Sequence, residues 1–125
     1  MKRYFYLGSV VASFIFISSC NIKPKANFLG IKKGKIDKIT FLSGKEIQLT
    51  GANDSIWKVV SYEFNYSCKG EITMKGYREN KIPREVLLLV KKCDGVAIAD
   101  FTNIIASRKN SKKTFRLNDI RLTVE

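Results

Sequence analysis

The sequence predicts a mainly β (α+β) fold: one antiparallel β-sandwich or half-barrel domain over residues 27–125, with one helix near 83–93. The chain has 125 residues, of which 45% are hydrophobic. That is enough for one packed domain and more than disordered chains contain. From Phe28 onward, apolar residues recur mainly at every second position, which is the period of a strand with one buried face. The segment 83–93 departs from this period and predicts the helix.

The first predicted element is a hairpin over residues 36–50. Ile39 and Phe41 lie two positions apart, as residues on one face of a strand do, and Ile47 and Leu49 repeat this spacing. The Ser-Gly-Lys sequence between the two pairs is typical of a turn.

Two further strands are predicted over residues 57–67 and 71–77. In the longer one, polar residues alternate with apolar residues, which is typical of a strand with one buried face. The apolar positions in phase are Val60, Tyr62, Phe64 and Tyr66 in the first strand, and Ile72 and Met74 in the second.

The helix over residues 83–93 is predicted by helix-forming residues that carry suitable signals at both ends. Pro83 suits the first helical position, and Glu85 suits the positive N-terminal end. Gly95 suits a left-handed cap after the helix. A buried strand over 86–90 is the alternative, and the end signals favour the helix. Its apolar face at helical spacing comprises Val86, Leu89, Val90 and Cys93.

The last two predicted strands cover residues 96–106 and 114–124, with a polar turn between them. The apolar positions of the final strand change phase at Asn118–Asp119. A one-residue change of phase is what a β-bulge produces.

Residues 1–19 are predicted to be a lipoprotein signal peptide. Lys2 and Arg3 precede an uncharged apolar stretch that ends at Ile17, which is typical of a secretory signal and shorter than the ~20 residues of a spanning helix. The following Ile-Ser-Ser-Cys resembles a bacterial lipobox, which implies acylation of Cys20. An uncleaved membrane anchor, or an ordinary signal with a chance cysteine, is the alternative.

The mature chain would begin with a polar acylated tether over residues 20–26. No run of acidic residues follows Cys20. In some bacterial groups such a run directs lipoproteins to the cell surface. The resemblance therefore implies an outer-membrane lipoprotein that faces the periplasm.

Cys68 and Cys93 are the two cysteines outside the signal. In an exported protein, two such cysteines often form a disulfide. Two buried free thiols that act as small hydrophobic side chains are the alternative. The Cys-x-x-Cys spacing of redox motifs is absent.

The composition argues against catalysis and against a bound metal or cofactor. The chain has no histidine, and histidine is the commonest metal ligand and general base. No glycine-rich phosphate loop and no nucleophile elbow occurs. Acidic residues are few and scattered. The sequence therefore predicts no enzyme activity, no metal site and no cofactor.

Basic residues outnumber acidic ones by 23 to 11, which gives a formal charge of +12. A lysine-rich solvated surface is one interpretation, and contact with anionic lipid or an acidic partner is the other. Because an exported lipoprotein rarely meets nucleic acid, no nucleic-acid partner is predicted. The two clusters in predicted loops comprise Lys32, Lys33 and Lys35, and Arg108, Lys109, Lys112 and Lys113.

The segment 82–106 is similar to the C-terminal domain of the gliding-motility and type IX secretion family GldM/PorM. The shared pattern is a short helix, a turn with glycine, and a strand that ends in an acidic or amide residue before isoleucine. Residues 30–36 resemble the start of that domain, 57–64 its central strand, and 116–124 its last strand. The similarity covers most of residues 26–125.

This resemblance implies a non-enzymatic, lipid-anchored protein-binding module of the cell envelope. It would be an accessory to gliding motility or type IX secretion, held on the membrane by its lipid and bound to an envelope protein. The predicted contact surfaces are the exposed edges of the hairpins at 36–50 and 104–118. A small-ligand carrier, or an inhibitor of a periplasmic enzyme, is the alternative, and a carrier would need an apolar pocket.

Overall fold

The computed structural model describes residues 23–51 and 56–125, and its central element is a six-stranded sheet. The elements are β1 (Lys25–Asn27), β2 (Lys33–Ile36), α1 (Lys38–Leu42), β3 (Gln48–Thr50), β4 (Trp57–Cys68), β5 (Glu71–Tyr77), α2 (Arg84–Lys92), β6 (Ala97–Arg108), β7 (Thr114–Arg116) and β8 (Ile120–Val124). The sheet has the order β2-β8-β6-β4-β5, and β7 also pairs with β6. The β2–β8 pair is parallel and the other pairs are antiparallel. The mainly β fold class predicted from the sequence is confirmed.

The core lies on one face of the sheet, and Phe101 of β6 stands at its centre. Its ring centroid is 5.5 Å from that of Phe28, 6.5 Å from Phe41, 5.7 Å from Tyr62 and 5.2 Å from Phe64. All five side chains are buried. The cluster joins the N-terminal segment, α1 and the two central strands, so one aromatic side chain connects parts of the chain that are distant in sequence.

Helix α2 covers the same face, which confirms the predicted helix. Pro83 is its N-cap rather than its first residue, and the cap at its end is extended Cys93 rather than left-handed Gly95. Val86 and Val90 are fully buried. Two tyrosine hydroxyls also fix it to the sheet: Tyr66 donates to the carbonyl of Leu89 at 2.8 Å, and Tyr62 donates to the carbonyl of Lys81, just before the helix, at 2.6 Å. The helix is therefore held by buried valines and by hydrogen bonds to β4.

The β4–β6 pairing contains a register shift that the sequence pattern did not reveal. The shift lies between Val59 and Glu63, and it puts Trp57 and Val59 on the buried face with Tyr62. The prediction that Val60 belongs to the buried set is wrong, because Val59 is the residue that packs into the core.

The predicted hairpin over 36–50 is wrong, because its first half forms helix α1. The Asp37 side chain accepts a hydrogen bond from the backbone N–H of Thr40 at 3.0 Å, which caps the helix. In a helix, residues two positions apart point to different sides. Phe41 is accordingly buried, whereas Ile39 is 83% exposed.

Strand β1 begins at Lys25, within the range 20–26 that the sequence predicts as a tether. Ala26 is fully buried, and its backbone N–H and carbonyl both bond to the Asn118 side-chain amide, at 2.8 and 2.9 Å. This partner lies 92 residues away in sequence, so no local pattern could indicate it. The predicted signal peptide and Cys20 lie outside the described residues.

The segment 114–124 forms two strands rather than one bulged strand. β7 pairs with residues 105–107 of β6, and β8 pairs with residues 97–101. The interruption falls at Asn118–Asp119, where the sequence predicts a change of phase. At this interruption the Asn118 side chain is bonded to the backbone of Ala26.

Candidate functional site

The outer face of the sheet, opposite the helices, leaves large apolar side chains in solvent. Ile72 is 73% exposed, Met74 is 69% exposed and Ile98 is 50% exposed. Ser67 of β4 lies opposite both Ile72 and Ile98 in the strand register, so these three residues form one row across β5, β4 and β6. We call Ile72, Met74 and Ile98 the outer apolar patch. Exposed apolar patches on soluble domains commonly mark interaction sites.

Strand β5 is an edge strand of the described sheet, since it pairs with β4 alone. The free side of such a strand presents unpaired backbone donors and acceptors, to which another chain can add as a further strand. Ile72 and Met74 are in phase, as predicted, but they point away from the core. The other set of side chains, which includes Thr73 and Tyr77, points toward α2.

A groove of about 380 Å³, open to solvent, runs between β5 and α2 on the inner face. The Lys75 ammonium lies 3.0 Å from both carboxylate oxygens of Glu85 across it, and this ion pair holds the pKa of Glu85 below its usual value. The other lining residues are mainly apolar: Phe64, Thr73, Tyr77, Leu88, Leu89 and Lys92. The groove therefore borders the free edge of β5 on the side opposite the outer apolar patch.

Asp100 is a partly buried carboxylate on the outer face of β6. Its register neighbours are Asn65 on β4 and Arg121 on β8. Its Oδ1 atom is buried and accepts no hydrogen bond within the described part of the chain. Burial raises the pKa of Asp100, and the nearby Arg121 charge opposes this only in part. The ionised form is therefore less favourable in the folded state than in the unfolded chain.

The Asp100→Asn variant is expected to be more stable than the wild type at neutral pH. Because the pKa of Asp100 is raised in the folded state, its carboxyl group is most favourable to folding below pH 3.8, its ordinary pKa, where it is protonated. That contribution to stability is lost as the pH rises through the folded-state pKa. Urea unfolding should show a higher midpoint for the variant at neutral pH and no gain near pH 3. A wild type that is the more stable at neutral pH would contradict this assignment. Asp94→Asn is the control, because the Asp94 side chain is 99% exposed.

The two predicted basic clusters lie on separate surfaces. Lys33 lies opposite Arg121 in the β2–β8 pairing, and Arg121 in turn lies opposite Asp100 of β6. The second cluster begins at Arg108, eight positions further along β6, or about 25 Å at the usual rise per residue. The remaining members of the first cluster are Lys32, which is exposed, and Lys35, which lies 3.5 Å from Glu125.

The predicted disulfide between Cys68 and Cys93 is confirmed. The two Cα atoms are 6.0 Å apart, and the bond joins the end of β4 to the residue that follows α2. Lys38 of α1 donates a hydrogen bond to the Cys93 carbonyl. Both helices are thus connected to the end of the sheet where β4 turns into β5.

Within residues 23–51 and 56–125, no group of three or more cysteine, aspartate or glutamate side chains is placed to hold a metal ion. No helix in those ranges is long and apolar enough to cross a membrane. No protein-family model matches the chain, and no curated protein is significantly similar to it.

Proposed function

We propose that the protein is a non-enzymatic, lipid-anchored protein-binding module of the cell envelope. It binds an extended segment of an envelope protein as an additional strand on β5. The observation that carries this proposal is the position of β5 in the sheet and the surfaces on its two faces. It is an edge strand of the described sheet, with the outer apolar patch on one face and the groove beside α2 on the other.

This setting suits strand addition because side chains alternate between the two faces of a strand. In a segment paired with β5, one set of side chains contacts Ile72 and Met74. The other set enters the groove between Tyr77 and Leu88. Backbone hydrogen bonds supply much of the affinity in such complexes, and contacts with alternate side chains supply specificity.

In this proposal, Cys20 carries the lipid and the domain is an accessory to gliding motility or type IX secretion. Support comes from the lipobox-like Ile-Ser-Ser-Cys sequence and from the resemblance of residues 82–106 to the GldM/PorM family. Two acyl chains hold a protein on a membrane far more firmly than one, because each buried CH₂ group contributes about 0.8 kcal/mol.

The Ile72→Lys/Met74→Lys double variant is expected to lose the envelope partner. The test is crosslinking in the native envelope, followed by pull-down through a C-terminal tag. Two charged side chains on the contact face should lower partner recovery by about tenfold or more, which corresponds to roughly 1.4 kcal/mol of binding free energy. The matched control is Ile39→Lys, because Ile39 is 83% exposed on α1, away from β5.

A gliding or secretion component recovered with the wild type and Ile39→Lys, but not with the double variant, would support the proposal. Equal recovery with the double variant would exclude β5 as the interface. A Cys20→Ser variant tests the anchor separately, because it leaves β5 intact.

The apolar lining of the groove favours a small-ligand carrier as a second candidate function. Its volume of about 380 Å³ falls at the small end of the range of ligand sites. A ligand held there would be displaced by Leu88→Glu and retained by the Ile72→Lys/Met74→Lys variant, since the outer apolar patch lies on the opposite face. The Ile72→Lys/Met74→Lys variant therefore separates the two candidates, because it should lose a protein partner and keep a ligand, whereas Leu88→Glu should weaken both.

A further inference from the structure

The first described residue, Lys23, lies at the end of the sheet where β6 turns into β7. The Lys23 ammonium lies 5.9 Å from the centre of the Phe115 ring. That ring packs edge-on against Trp57, with centroids 5.2 Å apart, and Trp57 lies opposite Arg108, the last residue of β6. Lys23 is therefore placed beside the turn that carries the second basic cluster.

This turn is strongly basic. Residues 108–116 include five basic and no acidic side chains. Lys109, Lys112 and Lys113 are exposed, and the backbone N–H of Lys109 donates to the Ile56 carbonyl at 2.6 Å, which fixes the turn against the start of β4. We call residues 109–113 the anchor-end turn.

The covalent chain limits how far this end can lie from the lipid. Cys20 precedes Lys23 by three residues, and three extended residues span at most about 11 Å. An acyl group on Cys20 would therefore keep the Lys23 end of the domain close to the bilayer surface. The outer apolar patch is distant from that end: Ser67, in its row, lies ten positions along β4 from Trp57, or about 30 Å.

We infer that the anchor-end turn rests on the anionic headgroups of the membrane that carries the lipid anchor, and that this contact orients the domain. The inference rests on the proposed acylation of Cys20. Lysines near an anionic surface are attracted to it, and the attraction decays within a Debye length. In this orientation β5 and the outer apolar patch point away from the bilayer, where a partner can reach them.

A lipid surface explains the position of the turn better than an acidic protein does. The anchor brings the bilayer within reach of Lys112 and Lys113 at a high effective concentration. Another pair of adjacent exposed lysines, Lys91 and Lys92, lies in the last turn of α2, next to the disulfide at the opposite end of β4. These two pairs have the same composition and different predicted distances from the membrane.

The experiment is amine labelling of the full acylated protein, read by mass spectrometry at each lysine. The protein is placed in neutral phosphatidylcholine vesicles, in vesicles that also contain phosphatidylglycerol, and in native envelopes. On the anionic vesicles, labelling of Lys109, Lys112 and Lys113 should fall by roughly fivefold, the size expected for a lysine at such a surface. Labelling of Lys91 and Lys92 should not change, and high salt should remove the difference.

Two charge-matched variants complete the test. Lys112→Glu/Lys113→Glu should lose the protection of Lys109 on anionic vesicles, whereas Lys91→Glu/Lys92→Glu should keep it. Equal labelling on neutral and anionic vesicles would overturn the inference, and protection in native envelopes alone would overturn it in favour of an acidic protein. Absence of the acyl mass on Cys20 would overturn the anchor and this orientation together, whereas loss of the partner from β5 would leave the labelling pattern unchanged.

Discussion

Removal of the Cys68–Cys93 disulfide is expected to lower the free energy of unfolding by about 3–4 kcal/mol. The bond closes a loop with a sequence separation of 25 residues. In the chain-entropy model, a loop of this size stabilises the folded state by about 3.5 kcal/mol, because it restricts the unfolded chain. For a domain of roughly a hundred residues, the expected fall in melting temperature is about 15–25 °C.

The measurement is urea and thermal unfolding of the Cys68→Ala/Cys93→Ala variant beside the oxidised and the reduced wild type. Reduction breaks only the covalent bond and keeps both sulfur atoms, so it is the closer control. Cys93 is buried, and its truncation adds a packing loss that reduction does not. A reduced wild type that unfolds at the same urea concentration as the oxidised protein would contradict the expectation.

The disulfide also bears on the proposed binding site. It fixes the end of α2 to the end of β4, and the groove beside β5 has α2 as one wall. Loss of the bond should therefore loosen that wall as well as destabilise the fold. Disulfides persist in oxidising compartments, so a structural disulfide is consistent with the exported location that the signal sequence predicts.

Elements with strong local signals could be predicted from the sequence. Helix α2 has helix formers and suitable residues at both ends, and its bounds, Arg84–Lys92, lie within one residue of the prediction. Strand β4 has a long alternation and was predicted to within one residue of its end. In both, the residues that decide the structure are neighbours in sequence.

Elements decided by distant contacts could not be predicted. Strand β1 pairs with β3 and is bonded at Ala26 to the Asn118 side chain, and a polar Lys-Pro-Lys-Ala-Asn sequence gives no indication of either contact. Helix α1 shows the opposite case, because its signal is local: Asp37 and Thr40 have the spacing of a capping interaction. The strand-like spacing of Ile39 and Phe41 concealed that signal.

The candidate binding surface was also hidden from sequence reasoning. The spacing of Ile72 and Met74 shows that they share a face, but a period of two cannot show which face is buried. The edge position of β5 depends on strand order, which is a property of the whole sheet. The basic residues of 108–113 were predicted as a cluster, and their closeness to the start of the domain required the Lys23–Phe115 contact.

The Phe101→Ala variant is expected to lose about 3–5 kcal/mol of stability, the usual cost of removing a buried phenylalanine. Phe101 is fully buried and its ring lies against four other aromatic rings. Pairs of this kind each contribute about 0.5–1.5 kcal/mol beyond the area that they bury, so a cost at the upper end is expected. Ile98→Ala, at a half-exposed position of the same strand, is the control and should change stability by about 0.5 kcal/mol or less.

Urea unfolding measures the size of the loss, and hydrogen exchange shows where the structure loosens. Phe28 follows β1 directly and reaches the sheet through Phe101, at 5.5 Å between ring centroids. The amides of Ala26 and Phe28 should therefore exchange faster in Phe101→Ala, relative to those of α2, than in the wild type. Uniform acceleration across both segments would show that the ring stabilises the domain as a whole. Selective acceleration of β1 would show that the ring connects β1 and Phe28 to the sheet.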